Sequence, residues 1–315
     1  RGDVAMVGYG AARYALASGN RNEAEKLWPL IEWCLEYCHR QLNADGVVKS
    51  DSDELENRFP AGKANLCTSS LYYDALISAA YLGKALKKEH RQIKSYQDRA
   101  AELYKNIDAY FARNVEGYDT YRYYDGNTVL RSWICIPLTM GIYDQAKGTV
   151  EALFSDKLWM ENGLLTQSGT STYWDRSTLY AFRGAYSCGA RDIATEYLDK
   201  YSATRLLGDH VPYAVEAWPE GNQRHLSTES ALYCRIMTEG LFGIRPIALD
   251  AFMMTPQLPE SWNTMSLKRI CAFGSIFDIE VKRDKDDKLL VLIKKDHKIV
   301  KRSKITNGKT IEVRI

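Results

Sequence analysis

Hydrophobic positions in the first two-thirds of the chain recur at helical spacing, with short polar loops between the periodic stretches. The stretch 66–86 is apolar nearly all round and predicts a buried inner helix, whereas 96–111 is apolar on one side only and predicts an outer helix. The alternation of these two kinds predicts helical hairpins arranged in a ring around a central funnel. The predicted helices cover 4–17, 22–42 with a break or kink at Trp28-Pro29, 66–86, 96–111, 129–140, 143–154, 177–188, 190–201 and 227–241.

The pattern changes at Gly243-Ile244-Arg245-Pro246, after which apolar and polar residues alternate in short runs. These runs, at 277–281, 289–293, 299–305 and 310–315, predict a small antiparallel β-sandwich. The predicted organisation is mainly α, with a helical (α/α)6 toroid over residues 1–243 and the sandwich over 244–315. About nine helices are counted, and a ring of six hairpins has twelve, so we expect an upstream N-terminal portion of the same protein to supply the rest.

Charge and cysteine usage narrow the classes of function. The formal net charge of +2 gives no electrostatic reason to expect nucleic acid or an anionic membrane as a partner. No apolar run has the length of a membrane span, and the compartment cannot be read from this segment. The seven cysteines have neither disulfide nor zinc-site spacing, and we expect most of them to be small buried hydrophobic residues.

Aromatic side chains are abundant, with 21 Tyr and 7 Trp, and many stand beside Asp, Arg or Gly in predicted loops. Rings with a polar edge suit a hydrated ligand such as a sugar, which offers C–H faces for stacking and hydroxyls for hydrogen bonds. The alternative is that tyrosines fill a large helical core. The sequence supports both readings equally.

Two loops rich in carboxylates precede predicted inner helices. The first covers 51–60, with four acids in six residues, and includes Asp53, Glu54, Glu56 and Arg58. The second covers 216–225 and combines Glu216, Trp218, Glu220 and His225. The alternatives are a solvated loop for the first and an N-capping loop with a structural Trp for the second.

Glycoside hydrolysis requires one carboxylic acid to protonate the leaving oxygen and one carboxylate acting on the other face of the sugar. The two loops could supply these groups if they open at the same mouth of the ring. Two further loops are candidates for the pocket lining: 118–125, and the tetrapeptide Tyr173-Trp174-Asp175-Arg176. Trp174 could stack on a sugar, and Asp175 and Arg176 could bind hydroxyls or a carboxylate; alternatively Asp175 is a helix N-cap.

Several segments resemble the helical toroid and C-terminal sandwich of bacterial α-L-rhamnosidases and related six-hairpin glycosidases. The segments that carry the resemblance are 2–42, the acidic loop, Thr68-Ser-Ser-Leu-Tyr-Tyr-Asp-Ala-Leu, Glu216-Ala-Trp, Gly240-Leu-Phe-Gly-Ile-Arg-Pro and Thr255-Pro-Gln-Leu-Pro-Glu-Ser-Trp. The resemblance runs weakly along nearly the whole chain. It implies an oligo- or polysaccharide substrate and favours a periplasmic or secreted location.

The resemblance also implies catalytic roles. Glu216 matches the inverting general base, with Glu220 as the substitute. The Arg-Asp-Glu-Arg motif that carries the acid in rhamnosidases is missing from this chain, whereas other six-hairpin families take the acid from the loop that matches 53–56. On that alignment Glu56 is the expected acid, followed by Glu54 and Asp53. The expected reaction is single-displacement hydrolysis with inversion, without a metal or organic cofactor; calcium-assisted sugar binding is the alternative on this point.

Two other classes of function remain open. One is a sugar-binding or structural toroid without catalysis. The other is a polysaccharide lyase, which would use a Tyr or His base and an Arg against a uronate, and Tyr213, Arg224 and His225 are available. A terpene-cyclase toroid is less compatible with the sequence, because 51–56 imitates an Asp-rich metal motif only loosely.

Overall fold

The computed structural model describes residues 2–53, 59–207, 217–218 and 227–315, with the backbone alone at 217, 218 and 227. Within these ranges nine α-helices come first and the longest strands follow. The helices are α1 (Gly2–Ser18), α2 (Arg21–Arg40), α3 (Leu66–Leu86), α4 (His90–Phe111), α5 (Ile136–Met140), α6 (Ala146–Leu153), α7 (Asp175–Ser187), α8 (Arg191–Arg205) and α9 (Ser227–Arg235). A 3₁₀ turn, Ser132–Cys135, leads into α5, and a π-helical segment, Ile236–Leu241, continues α9.

The helices form two layers, as the hydrophobic pattern predicts. Helix α3 is buried on nearly every side, whereas α4 buries only one stripe, consisting of Tyr96, Ala100, Leu103, Ile107 and Phe111. The inner helices α1, α3, α5, α7 and α9 pack on one another in that order, and α2, α4 and α8 pack outside α1, α3 and α7. The predicted fold class, part of a helical toroid followed by a β-sandwich, is therefore confirmed.

Asparagine side chains begin two of these helices. The Asn65 side-chain oxygen accepts a hydrogen bond from the backbone N–H of Thr68 at 2.9 Å, at the start of α3. Asn20 caps α2 in the same way by accepting from the backbone of Asn22 and Glu23. Each cap satisfies N–H groups that have no partner within the helix, and Gly19-Asn20 separates α1 from α2.

The sequence pattern was misread in three places. Helix α2 continues through Pro29, so the predicted break at Trp28-Pro29 is wrong, while the kink stays a prediction; Pro29 removes one backbone hydrogen bond from a helix that buries its apolar face along its whole length. The predicted helix 129–140 begins only at Ser132, since Arg131 pairs with Gln167 as an isolated β-bridge. Residues 118–121, predicted as loop, form a strand that pairs with Ala112–Val115 in a hairpin.

The strands are β1 (Ala112–Val115), β2 (Tyr118–Tyr121), β3 (Trp159–Met160), β4 (Gly163–Leu164), β5 (Tyr173–Trp174), β6 (Ala217–Trp218), β7 (Arg245–Ala248), β8 (Ala251–Met254), β9 (Thr264–Ala272), β10 (Ser275–Arg283), β11 (Leu289–Lys295), β12 (Lys298–Ile305) and β13 (Ile311–Arg314). The sandwich consists of a four-stranded sheet, β12-β11-β10-β9, and a three-stranded sheet, β13-β8-β7. The rings of Phe252, Phe273 and Phe277 pack together between the sheets, with centroids 5.0–6.3 Å apart.

The sandwich contacts the helices at the end of α1. The backbone N–H of Phe273 donates to the Ala17 carbonyl at 2.6 Å, and that of Gly274 donates to the Ser18 carbonyl at 3.2 Å. A Cβ on Gly19 would lie 2.1 Å from the Gly274 nitrogen, so only glycine fits there. The turn after α1 therefore both ends the helix and holds the β9–β10 turn against it.

Two carboxylates on inner helices collect arginines from distant parts of the chain. Asp74 on α3, which is fully buried, accepts hydrogen bonds from Arg13 on α1 at 2.9 and 3.0 Å and from Arg245 on β7 at 2.7 Å. Glu239 accepts from Arg13 at 2.8 Å and from Arg235 at 3.1 Å. We call the whole group the arginine hub: Tyr9, Arg13, Asp74, Arg183, Arg235, Glu239 and Arg245.

The hub also controls the protonation of its members. Burial alone would raise the pKa of Asp74, but Arg13 and Arg245 outweigh burial and lower it. Burial likewise opposes ionisation of Glu239, yet the neighbouring arginines hold its pKa well below the usual range. The Tyr9 hydroxyl accepts from both Arg183 and Arg235, and its pKa is lowered despite burial. Both carboxylates are therefore ionised at neutral pH.

We predict that Asp74→Asn lowers the free energy of unfolding at neutral pH by about 3–5 kcal/mol, because Arg13 and Arg245 lose their shared carboxylate. A carboxyl whose pKa is depressed by folding contributes stability above its unfolded pKa and loses it as pH falls. The wild type should therefore weaken progressively below about pH 5, and the variant should weaken less.

Urea unfolding at neutral and acidic pH tests this prediction. The control is Asp98→Asn, because Asp98 is 62% exposed and pairs with Lys94 only on the surface of α4. Its effect should stay below about 0.5 kcal/mol. An Asp74→Asn variant as stable as this control, with the same pH dependence as the wild type, would refute the role of the hub.

Candidate active site

Loops at the N-terminal ends of the inner helices meet at one edge of the ring. The backbone N–H of Leu66, at the start of α3, donates to the Tyr123 carbonyl, and that of Ser132 donates to the Thr166 carbonyl. Isolated β-bridges and one short strand pair continue the connection: Lys49–Ala64, Asn65–Tyr124, Arg131–Gln167, Leu165–Tyr173 and Tyr173–Trp218. We call this edge the rim: residues 47–53, 59–66, 122–132, 164–174 and 217–218.

The rim brings together the flanks of the two carboxylate-rich loops. By flanks we mean the described residues of each loop that adjoin its residues outside the described ranges: Asp53, Phe59 and Pro60 in the first loop, and β6 in the second. The predicted catalytic carboxylates Glu54, Glu56, Glu216 and Glu220 lie outside the described residues, as do Arg58, His225 and the Trp218 side chain. Their roles remain predictions; the described residues next to them at 53, 59, 217 and 218 belong to the rim.

Asp53 belongs to a buried polar group beneath the rim. Its Oδ2 accepts a hydrogen bond from the Tyr123 hydroxyl at 2.8 Å and lies 3.8 Å from Nη2 of Arg131. The Arg131 guanidinium also donates to the Pro60 carbonyl at 3.2 Å, and it lies 4.8 Å from the centre of the Phe59 ring. Arg131 thus contacts both flanks of the first acidic loop, and burial lowers its pKa below the ordinary value.

The tetrapeptide 173–176 connects the rim to the core. Trp174 is 2% exposed, and its ring centroid lies 4.5 Å from that of Trp133. Asp175 is the first residue of α7, with Trp174 in the N-cap position, so the alternative of Asp175 as N-cap is wrong by one residue. Its Oδ2 accepts from Arg205 at 2.9 Å, and both side chains are 1% exposed.

Arg176 faces the helix that follows the second loop. Its Nε donates to Glu229 on α9 at 2.7 Å, while its guanidinium lies 6.0 Å from the Trp174 ring. The Glu229 side chain is completely buried. As substrate contacts, Trp174, Asp175 and Arg176 remain predictions; in this structure all three also hold the start of α7 in place.

The third candidate lining loop, 118–125, divides into two parts. Residues 118–121 belong to β2, where burial raises the pKa of Tyr121 and where Thr120 bonds Thr149. Residues 122–125 belong to the rim, where Arg122 pairs with Asp125 and where Tyr123 and Tyr124 make the backbone contacts with Leu66 and Asn65. The tyrosines of this segment thus pack within β2 at one end and form contacts of the rim at the other.

Sequence reasoning missed two charged residues of this region. Arg131 stands in an apolar stretch, 129–140, where a charge is unexpected unless it is paired, and that was the available signal. Glu229 lies just inside a predicted helix, where an acid commonly interacts with the helix N-terminus, so its burial could not be foreseen. In the described ranges no group of three or more His, Cys, Asp or Glu side chains could hold a metal ion.

The cysteines agree in part with the expectation of small buried residues. The seven cysteines, which all lie in the described ranges, form no disulfide with one another, and Cys34, Cys38, Cys67 and Cys135 are buried. Cys234 and Cys271 are exposed, because they lie on the outer faces of α9 and β9. None of the helices, over the residues described, is long and apolar enough to cross a membrane.

Comparison with solved structures identifies the fold. A structure named as a sialidase superposes with a TM-score of 0.69 at 15% identity over 96% of this chain. The GH78 family rhamnosidase of Bacillus sp. GL1 matches with 0.57 at 13% over 90%, and the α-L-rhamnosidase from Dictyoglumus thermophilum with 0.53 at 12% over 93%. This chain spans 32%, 29% and 37% of those three chains.

No protein-family model and no curated protein matches the sequence. The structural likenesses establish the architecture, a helical toroid part followed by a β-sandwich, and they leave activity and substrate to be argued from the site. The resemblance noted in the sequence is confirmed at the level of fold.

We predict that Asp175→Asn is mainly a stability variant. Removing one member of a buried ion pair leaves Arg205 without its charge partner and should lower the free energy of unfolding by about 3 kcal/mol. Denaturant unfolding measures this loss, with Asp192→Asn as the control, because Asp192 is 51% exposed. Equal stability of the two variants would show that Asp175 does not hold α7, which would leave substrate contact as its role.

Proposed function

We propose that this chain carries the catalytic toroid of an inverting glycoside hydrolase whose site opens at the rim. The observation that carries the proposal is the backbone connection from Lys49 to Trp218, which brings the flanks of both carboxylate-rich loops to one edge. A toroid with an acid and a base on loops at the same mouth has the arrangement that inversion requires. The named glycosidases of the same fold agree with this class of reaction.

In the proposed mechanism Glu56, or Glu54 in its place, protonates the glycosidic oxygen. Glu216, or failing it Glu220, takes a proton from the attacking water on the opposite face of the sugar. Arg58 and the aromatic and basic residues of the second loop bind the sugar hydroxyls, whereas Asp53, whose side chain is 1% exposed, holds the start of the first loop through Tyr123 and Arg131. An α-L-rhamnoside-like sugar is the first substrate to test, because rhamnosidases are among the similar structures.

The helices of an upstream portion would complete the ring. The outward faces of α1 and α2 expose the large hydrophobic residues Val7, Tyr14, Leu30 and Trp33, with Tyr14 56% and Trp33 54% exposed. The Trp33 ring stacks on Tyr37 with a centroid separation of 5.6 Å. We propose that an upstream part of the same protein packs on this face, in the way that α3 and α4 pack on the other side of α1 and α2.

Glu216→Gln in the full-length protein tests the proposed function. Loss of the general base should lower kcat by at least about a hundredfold, while sugar binding persists within about threefold. The measurements are release of the sugar from an aryl α-L-rhamnoside and calorimetric titration with free rhamnose. The matched control is Glu151→Gln, because Glu151 is an exposed glutamate on α6 that does not belong to the rim residues; it should retain full activity.

The alternatives give different results in the same assays. Full activity of Glu216→Gln would exclude Glu216 as the base. Saturable sugar binding without hydrolysis by the wild-type protein would instead indicate a sugar-binding toroid. A product that absorbs as an unsaturated uronide would indicate a lyase, in which Tyr213, Arg224 and His225 are the residues to substitute.

A further inference from the structure

A second polar site lies at the opposite end of the ring from the rim. It is a cavity of about 220 Å³ between the C-terminal ends of the inner helices and the β-sandwich. Helix α7 connects the two ends: Asp175 adjoins the rim, and Ser187 lines the cavity. That helix of 13 residues is roughly 20 Å long, so the cavity is separate from the candidate active site.

Positive charge exceeds negative charge around this cavity. Three arginines, Arg13, Arg183 and Arg245, line it together with a single carboxylate, Glu239. In the complete hub four arginines face two carboxylates, Asp74 and Glu239. The C-terminal ends of α7 and of the segment 236–241 offset part of the excess. The remaining positive charge, largely removed from water, favours an anion in the cavity.

Two guanidinium groups keep hydrogen-bond donors that the hub does not satisfy. The Arg183 side chain is 2% exposed, and its Nη1 lies 3.5 Å from Oε2 of Glu239, an ion-pair distance, without a hydrogen-bond partner within the described part of the chain. Arg245 donates to Asp74 through Nη2 only, at 2.7 Å. Its Nη1 lies 3.2 Å from the position that a Cβ on Gly141 would occupy, so this glycine leaves the space beside Nη1 open.

The sandwich contributes hydroxyl groups to the same cavity. Thr255 and Thr310, which both line it, are joined by a hydrogen bond of 2.8 Å between their Oγ1 atoms. One hydroxyl donates in that bond, which leaves the hydrogen of the other for a ligand. Arginine donors from the hub and a hydroxyl donor from the sandwich thus surround one small space.

We propose that this cavity binds a small tetrahedral oxyanion, inorganic phosphate or sulfate, between the helices and the β-sandwich. Arg183 and Arg245 provide charge-assisted hydrogen bonds, and the Thr255–Thr310 pair provides a neutral one. An anion held in this way contacts both parts of the chain, so its binding stabilises the docking of the sandwich on the ring. The site is independent of the proposed glycosidase activity.

Thermal unfolding of the full-length protein tests the proposal. With a dissociation constant on the order of 1 mM, about 20 mM phosphate should raise the Tm by about 3 °C over sodium chloride of equal ionic strength. Calorimetric titration should show one phosphate per chain. Sulfate in place of phosphate distinguishes the two anions: an equal rise shows a general oxyanion site, and a smaller rise shows a site for phosphate.

The double variant Thr255→Val, Thr310→Val removes the hydroxyl donors and leaves the arginine hub intact. It should weaken phosphate affinity about fivefold or more without a change in Tm in chloride. Arg302→Met, which removes an exposed charge from β12, should leave the affinity unchanged. Equal Tm values of the wild type in phosphate and chloride would overturn the proposal, as would a loss of binding in Arg302→Met.

Discussion

The ionised carboxylate of Asp74 is the interaction on which the rest of this structure depends. It lies in the middle of the most buried helix and accepts hydrogen bonds from α1 and from the first strand of the sandwich. Its partner Arg13 also donates a hydrogen bond to Glu239, and Glu239 accepts another from Arg235 at the end of α9. One connected group of charges therefore fixes how the inner helices meet, and with them the positions of the loops at the rim.

A buried ionic group of this kind gives orientation more than it gives net stability. Removing Asp74 takes a carboxylate from Arg13 and Arg245, and removing Glu239 takes one from Arg13, Arg183 and Arg235. Either loss is costly, whereas an apolar replacement of the whole hub could pack equally well. Hydrophobic contacts between neighbouring inner helices, α1 with α3, α3 with α5 and α5 with α7, supply most of the stabilisation, and the hub selects one angular arrangement among those that the apolar faces permit. The rim depends on this fixed arrangement of the helices, because the two carboxylates of a catalytic pair tolerate little change in their separation.

Periodicity predicted the elements whose burial is uniform along their length. Helix α3 has the predicted bounds 66–86, and the alternation in β10 and β11 identified the central strands of the sandwich. Prediction failed where tertiary contacts override the local pattern, as at Pro29 and at Arg131. The hub could not be predicted at all, because Asp74 lies 61 residues from Arg13 and 171 from Arg245, and no local spacing signals such a pairing.

The sequence indicated which loops and residue types form the candidate site, but not the geometry of that site. Composition pointed to two loops with clustered acids before inner helices, and the fold brings the flanks of both loops to one edge. Their separation depends on side-chain positions that no sequence pattern fixes. Arg131 and Glu229 were overlooked, because a single charge in an apolar stretch and an acid in a first helical turn are both common without any function.

The most direct test of inverting hydrolysis at the rim is the distance between the carboxyl groups of Glu56 and Glu216. It is measured in a crystal structure of the full-length protein with a bound sugar. We expect both groups to face one pocket at the rim, about 6.5–9.5 Å apart, with the scissile bond between them. A separation of about 5–5.5 Å would contradict inversion and indicate a retaining enzyme. Carboxyl groups on opposite faces of the ring would contradict the proposed site itself.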